Sequence, residues 1–181
     1  MIRMRIIFLS VLLLTAVSLP AQIRSGLPPG TFTESIPVTD VTGPYKGERV
    51  CYVCEFEGAP NVLAFFRDAS PETAQLIVEL NRLYVENKAR KFQAVAMIIA
   101  GSDSKKWLEN LRKTEKIEIP LTFFTKGPKD VAARVYKLNP DVKNTFLVTM
   151  NRTIASNISD INRAEFGQVI EAAEQVLGAK K

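Results

Sequence analysis

Histidine is absent from all 181 residues, and that gap closes off a good deal of chemistry. Ser-His-Asp and Cys-His nucleophile systems need an imidazole base. Cys/His zinc sites need it as a ligand, and two thiolates alone do not fill a four-coordinate zinc site. Covalent haem attachment needs Cys-x-x-Cys-His, and Glu55 stands where the histidine would be. No metal and no cofactor are expected. Cysteine is scarce, present only as Cys51 and Cys54. The single tryptophan, Trp107, keeps helical spacing with Leu111 and reads as core.

Long apolar runs are missing as well. Behind Arg3 and Arg5, the mostly apolar stretch from Ile6 to Val17 is too short to span a bilayer comfortably. With Leu19-Pro20-Ala21 after it, residues 1–21 read as a signal peptide, cut after Ala21 or after Ser18. A retained N-terminal anchor is the alternative. The product is expected to be exported, periplasmic or extracellular, with no stable membrane span after cleavage. Cysteines held close together in an exported chain favour a disulfide.

Charge of one sign is not concentrated anywhere. The formal charge is +5, and +3 once Arg3 and Arg5 are removed. No basic stripe with interleaved aromatics exists, so a nucleic-acid partner is not expected. Lys88 to Lys91 and Arg112-Lys113 fall at predicted helix C-termini, where cations suit the helix dipole.

What is present has a clear order. Residues 22–37, rich in proline and glycine, form an extended lead-in to a domain over 38–178. Val38 to Val41 is a short strand, and Val50 to Phe56, apolar or thiol for most of its length, predicts another. Val62 to Phe66 is an unbroken apolar run, the mark of a strand buried on both faces. A helix start follows at once, with Ser70 as N-cap, Pro71 at N1 and Glu72 in the first turn. That helix should run to Lys88 with Ala74, Ile77, Leu80 and Tyr84 on one face. Ala94 to Ala100 is a second buried strand, and a helix bearing Trp107, Leu108 and Leu111 follows. Ile117 to Phe124 is strand-like, broken by Pro120. Asp130 to Leu138 predicts a short helix with Val131, Ala132 and Val135 inward. Thr145–Thr149 and Thr153–Asn157 flank a turn at Met150-Asn151-Arg152 and predict an antiparallel hairpin. A last helix is expected over Asp160–Leu177, with Phe166, Val169, Ile170, Ala173 and Val176 packed. The order implies an α/β fold with helices on both faces of a mixed sheet. Val62–Phe66 and Ala94–Ala100 should be central, adjacent and parallel.

This order resembles the thioredoxin-like fold, a three-layer α/β/α sandwich, in the redoxin branch of peroxiredoxins and exported thioredoxin-like proteins. Val62-Leu63-Ala64-Phe65-Phe66 is similar to that group's first core strand. Ala96 to Asp103 with Trp107-Leu108 resembles its second strand and helix. Ile119 to Leu138 resembles the segment ahead of the hairpin, and Thr145 to Thr149 its first hairpin strand. The resemblance implies a reactive cysteine within Asp68 to Thr73 and a cis-proline near Val142-Lys143-Asn144. Neither residue is there. A peroxidase of the family type is not expected.

Cys51-Tyr52-Val53-Cys54 is therefore the candidate catalytic pair, displaced to a position before the first core strand. As a staple it would do little: a loop of four residues constrains the unfolded chain by only about 2 kcal/mol, against nearly 5 for a loop of about a hundred. Its role is local. One reading is thiol–disulfide exchange or redox sensing with a protein thiol or disulfide partner. The other is a non-catalytic binding or scaffold domain with a structural clip and a contact surface at Arg67 to Ser70. Entry into the first core strand from its N-terminal end and the neighbouring Glu55 and Glu57 argue against catalysis. Lys46 and Arg49 offset those carboxylates. With Arg49 nearer Cys51 and the acids nearer Cys54, Cys51 is expected to attack and Cys54 to resolve. Asp68, Glu72 and Asp103 form a weaker candidate cluster, read in the first place as helix caps. Asn151-Arg152-Thr153 and Asn157-Ile158-Ser159 match the glycosylation sequon.

Overall fold

The computed structural model describes residues 24–178; the expected signal peptide and Lys180-Lys181 lie outside them. Seven strands form one sheet: β1 (Val38–Asp40), β2 (Arg49–Val50), β3 (Asn61–Phe66), β4 (Gln93–Ile98), β5 (Leu121–Phe123), β6 (Asn144–Met150) and β7 (Thr153–Ser159). Their order across it is β2-β1-β5-β4-β3-β6-β7. β3 and β4 are central and parallel, with Leu63 opposite Val95 and Phe65 opposite Met97. β6 runs antiparallel to β3, setting Leu63 opposite Leu147, and pairs with β7 as the expected hairpin.

Both faces of β3 and β4 are covered, which is why their sequences are apolar without alternation. On one face Val62, Ala64, Phe66, Ala94, Ala96 and Ile98 pack against α2 (Pro71–Asn87), α3 (Lys105–Thr114) and α5 (Gly167–Gly178). On the other, Leu63, Phe65, Val95 and Met97 meet Leu27, Ile36, Val53, Phe56, Phe124 and Tyr136. This second layer is thin. It consists of two single turns, α1 (Tyr52–Glu55) and α4 (Val131–Val135), and the segment 24–37.

The expected strand at Val50–Phe56 is a correction. Only Arg49–Val50 pairs, and Tyr52–Glu55 is helical. The disulfide explains it: Cys51 and Cys54 lie 5.3 Å apart at Cα, whereas three steps along a strand span about 10 Å. α4 also shows the other face from the one predicted. Val131 and Val135 are exposed, at 55% and 37%, while Ala132 and Tyr136 are buried. Asp130 caps the turn by accepting the Ala132 N–H, and the Tyr136 hydroxyl, donating to the Glu34 carbonyl at 2.6 Å, draws that side inward. The last helix begins seven residues later than expected. β7 continues to Ser159, Asp160 turns the chain at φ 58°, and a capping box between Asn162 and Glu165 opens a 3-10 turn before α5. Around Pro120, which has no N–H to donate, β5 keeps only Leu121–Phe123.

The lead-in lies extended across β6 and β7. Ser25 Oγ and Thr145 Oγ1 are 2.7 Å apart, and the Asn157 side-chain amide donates to the carbonyls of Ser25 and Leu27. Backbone bonds join Thr31 to Ile154 and Thr33 to Arg152.

Candidate functional site

The cysteine pair sits where the sheet edge gives way to the thin layer. β2 is antiparallel to β1, and β1 to β5, so β2 runs with β3, β4 and β5. Val50 therefore delivers Cys51 to the end of the sheet where those strands finish. α1 then carries the chain back towards β3: Cys54 meets Ser35, which is bonded to Arg152, and the Gly58 carbonyl accepts the Asn151 N–H, in the β6–β7 turn that borders Asn61 at the N-terminal end of β3.

Cys51 and Cys54 form a disulfide. Cys51 is the N-cap of α1, its sulfur accepting the Cys54 backbone N–H at 3.3 Å. Cys51 is half-buried and Cys54 exposed. Glu57 (φ 49°) and Gly58 (φ 79°) end the turn in left-handed conformation, and the Gly58 carbonyl accepts the Asn151 N–H at 2.8 Å.

The two residues between the cysteines anchor the turn. Val53 is buried in the thin layer. Tyr52, also buried, donates its hydroxyl to Asp40 Oδ2 at 2.8 Å. Asp40, 1% exposed, further accepts the backbone N–H groups of Thr42 (3.1 Å), Gly43 (2.7 Å) and Tyr45 (2.9 Å). Four donors on one carboxylate satisfy a buried charge and fix the 42–45 loop and α1 together. Burial first, and the bonded carboxylate second, push the Tyr52 hydroxyl pKa well above its ordinary value. The Tyr45 hydroxyl donates to Glu55 Oε2, and that bond raises the Tyr45 pKa. Glu55 is thereby held by a neutral donor. The cations expected to offset it point elsewhere: Arg49 donates to the Pro37 carbonyl at 3.5 Å, and Lys46 lies 3.9 Å from Glu109.

The exposed sulfur has a partner that sequence reading missed. Ser35 Oγ lies 3.2 Å from Cys54 Sγ and accepts from Arg152 Nη2 at 3.4 Å. Ser35 lies 19 residues from Cys54 and 117 from Arg152. No local motif links them. Asp40 left a fainter trace, an aspartate before Thr-Gly-Pro in a turn.

The turn from β3 into α2 is a separate place. Four strand spacings, roughly 19 Å, separate β2 from β3 across the sheet. Ser70 caps α2 by accepting the Thr73 N–H at 3.2 Å and donates its hydroxyl to Thr73 Oγ1 at 3.0 Å. Arg67, Asp68, Ser70, Glu72, Thr73, Lys143 and Asn144 border a cleft of about 210 Å³. The acids proposed to meet here are divided. Asp68 pairs with Arg67 at 3.4 Å and Glu72 with Lys143 at 3.1 Å, while Asp103 does not border the cleft. Among the described residues no group of three His, Cys, Asp or Glu could hold a metal ion.

Comparison with models of known protein families finds no match, and comparison with curated proteins finds none. Solved structures do match. A candidate thiol:disulfide interchange protein DsbE from Chlorobium tepidum superposes with a TM-score of 0.66 at 18% identity, covering 84% of this chain and 99% of that one. Peroxidoxin BcpB from Mycobacterium tuberculosis gives 0.63 at 19%, covering 82% and 97%. The thioredoxin domain of a thiol-disulfide oxidoreductase from Bacteroides vulgatus gives 0.61 at 12%, covering 80% and 96%. At these identities the likeness establishes the fold, and this chain has the thioredoxin-like fold.

Proposed function

We propose that this protein is an exported thiol–disulfide exchange protein that works through Cys51 and Cys54, with a protein thiol or disulfide as partner. The observation that carries the reading is the placement of the disulfide. It closes a single helical turn, it leaves Cys54 exposed, and its sulfurs receive one backbone N–H and one serine hydroxyl. A bond of that span adds little global stability, while hydrogen bonds to sulfur favour the thiolate that exchange requires. The names of the similar structures, two of which are thiol-disulfide proteins, support the same class. Export rests on the signal-like residues 1–21. Among the described residues no helix is long and apolar enough to cross a membrane. The domain proper is taken as residues 38–178, with 22–37 as its lead-in.

The test is reduction of a protein disulfide such as that of insulin by the dithiol form, followed by turbidity. Loss of the activity in Cys51→Ser and Cys54→Ser is the expected result. Equal turbidity with wild type and both variants would remove the reading.

A second reading is favoured by one observation. Ser70 and Thr73, hydrogen-bonded to each other, occupy the helix start where the thioredoxin-like resemblance implies a reactive cysteine. On that reading the cleft bordered by Arg67 and Lys143 binds a partner without chemistry, and the disulfide is a clip on α1. An intact binding partner retained by a protein lacking both cysteines would favour it.

A further inference from the structure

We infer that Cys54, and not Cys51, is the attacking sulfur of the pair, with Ser35 and Arg152 as its positioning residues; this rests on the pair being an exchange site. Cys54 is the exposed member and Cys51 the half-buried one, so a bulky partner disulfide reaches Cys54 first. Arg49, the cation that would favour Cys51, is engaged by the Pro37 carbonyl.

Around Cys54 the polar groups are ordered in sequence. A disulfide sulfur carries no proton, so in the 3.2 Å contact Ser35 donates. Arg152 Nη2 donates to the same Ser35 oxygen at 3.4 Å, which occupies a lone pair and leaves the hydroxyl proton aimed at sulfur. When the bond is reduced, the Cys54 thiolate gains a hydroxyl donor polarised by a guanidinium, a charge-assisted contact. Arg152 is itself held. Its Nη2 also donates to the Thr33 carbonyl at 3.2 Å, and its guanidinium carbon lies 4.8 Å from the centre of the Phe32 ring. Its Nε is buried without a partner. Asn151 and Arg152 have φ values of 51° and 59°, a two-residue hairpin turn that favours Asn-Gly. An arginine there is strained relative to glycine, and its side chain is what reaches the 32–35 segment.

Cys51 suits the second role. The Cys54 backbone N–H aimed at its sulfur steadies it beside Cys54, in reach of an intramolecular attack. In the reduced protein the Cys54 thiolate attacks one sulfur of a partner disulfide, forming a mixed disulfide and expelling the partner's other sulfur as thiolate. The Cys51 thiolate then attacks Cys54 Sγ, restores the Cys51–Cys54 bond and releases the second partner thiolate. Two electrons pass from the cysteine pair to the partner, whose thiolates take protons from solvent.

The experiment is alkylation of the reduced single-cysteine proteins by iodoacetamide at neutral pH. Cys54 in Cys51→Ser should react several-fold faster than Cys51 in Cys54→Ser, because it is the exposed sulfur and its donor is polarised by a guanidinium where that of Cys51 is a backbone N–H. Ser35→Ala and Arg152→Gln should slow Cys54 several-fold and leave Cys51 unchanged, with Arg152→Lys restoring part of the rate. A faster Cys51, or equal slowing at both sulfurs, would overturn the assignment. Far-UV circular dichroism of each variant separates misfolding from a local effect. A second measurement avoids variants: the reduced wild type is mixed with oxidised glutathione, quenched in acid and mapped by mass spectrometry. Glutathione on Cys54 is expected. Glutathione on Cys51 would overturn the order alone. A wild type that forms no mixed disulfide and exchanges with no protein disulfide would overturn the exchange reading and this assignment with it.

Discussion

Tyr52→Phe takes one hydroxyl away from a buried carboxylate and changes nothing else in shape. In the wild type that hydroxyl donates to Asp40 at 2.8 Å, and both residues are buried. A hydrogen bond to a charged group contributes about 1.5–3 kcal/mol. The low end applies, because Asp40 keeps three backbone donors after the change. At about 2–4 °C per kcal/mol for a domain of this size, the melting point should fall by roughly 3–6 °C. A second signature is the alkaline limb. The Tyr52 pKa is raised in the folded protein, so the unfolded chain releases this proton first, near pH 10. Stability is fully present below that pH and is lost above it, by up to about 1.4 kcal/mol per pH unit for this group. Tyr136, also raised by burial, contributes in the same direction and remains in the variant. Tyr52→Phe should therefore show a lower melting point at pH 7 and a shallower loss above pH 10. Melting followed by circular dichroism across pH 7–11 reads both. A change below about 1 °C with an unaltered alkaline limb would refute the claim that this pair anchors α1, given the usual value of such a bond.

Phe65→Ala should cost about 3–5 kcal/mol in denaturant unfolding, because the ring is fully enclosed between Phe124 and Tyr136; a loss under 1 kcal/mol would place β3 outside the core. Gly43→Ala sets a Cβ 2.7 Å from Asp40 Oδ2, so it should destabilise the protein and speed reduction of the disulfide by dithiothreitol; unchanged reduction kinetics would contradict the link between the 42–45 loop and α1. Ser70→Cys in a protein lacking Cys51 and Cys54 should alkylate faster than a free thiol, since the α2 N-terminus donates the Thr73 N–H there. A rate equal to free cysteine would show that this turn does not activate a thiol.

Particular residues show how far the sequence could be read. β3, β4 and the cap at Ser70-Pro71 were legible because each is dictated locally, by an apolar run or by a capping side chain. The hairpin was legible from two alternating stretches and a short turn. α1 was not, because Val-Cys-Tyr-Val-Cys has strand composition and a covalent bond three residues apart overrides it. The inward face of α4 was misread because a five-residue helix leaves little periodicity to read, and the Tyr136–Glu34 bond that settles it spans 102 residues. The cysteine pair itself was plain in the sequence. Its surroundings were not: Ser35 and Arg152 come to Cys54 only because the lead-in crosses the face of β6 and β7.

The central claim is that the Cys51–Cys54 bond is made to be broken. Its reduction potential tests this most directly, measured by equilibrating the full protein in glutathione buffers of defined ratio and counting free thiols by mass after quenching. The account predicts a value near −200 mV, in the range of exchange proteins, with Ser35→Ala lower as the reduced form loses its donor. A value well below about −300 mV, unmoved by Ser35→Ala, would mark a structural bond and contradict it.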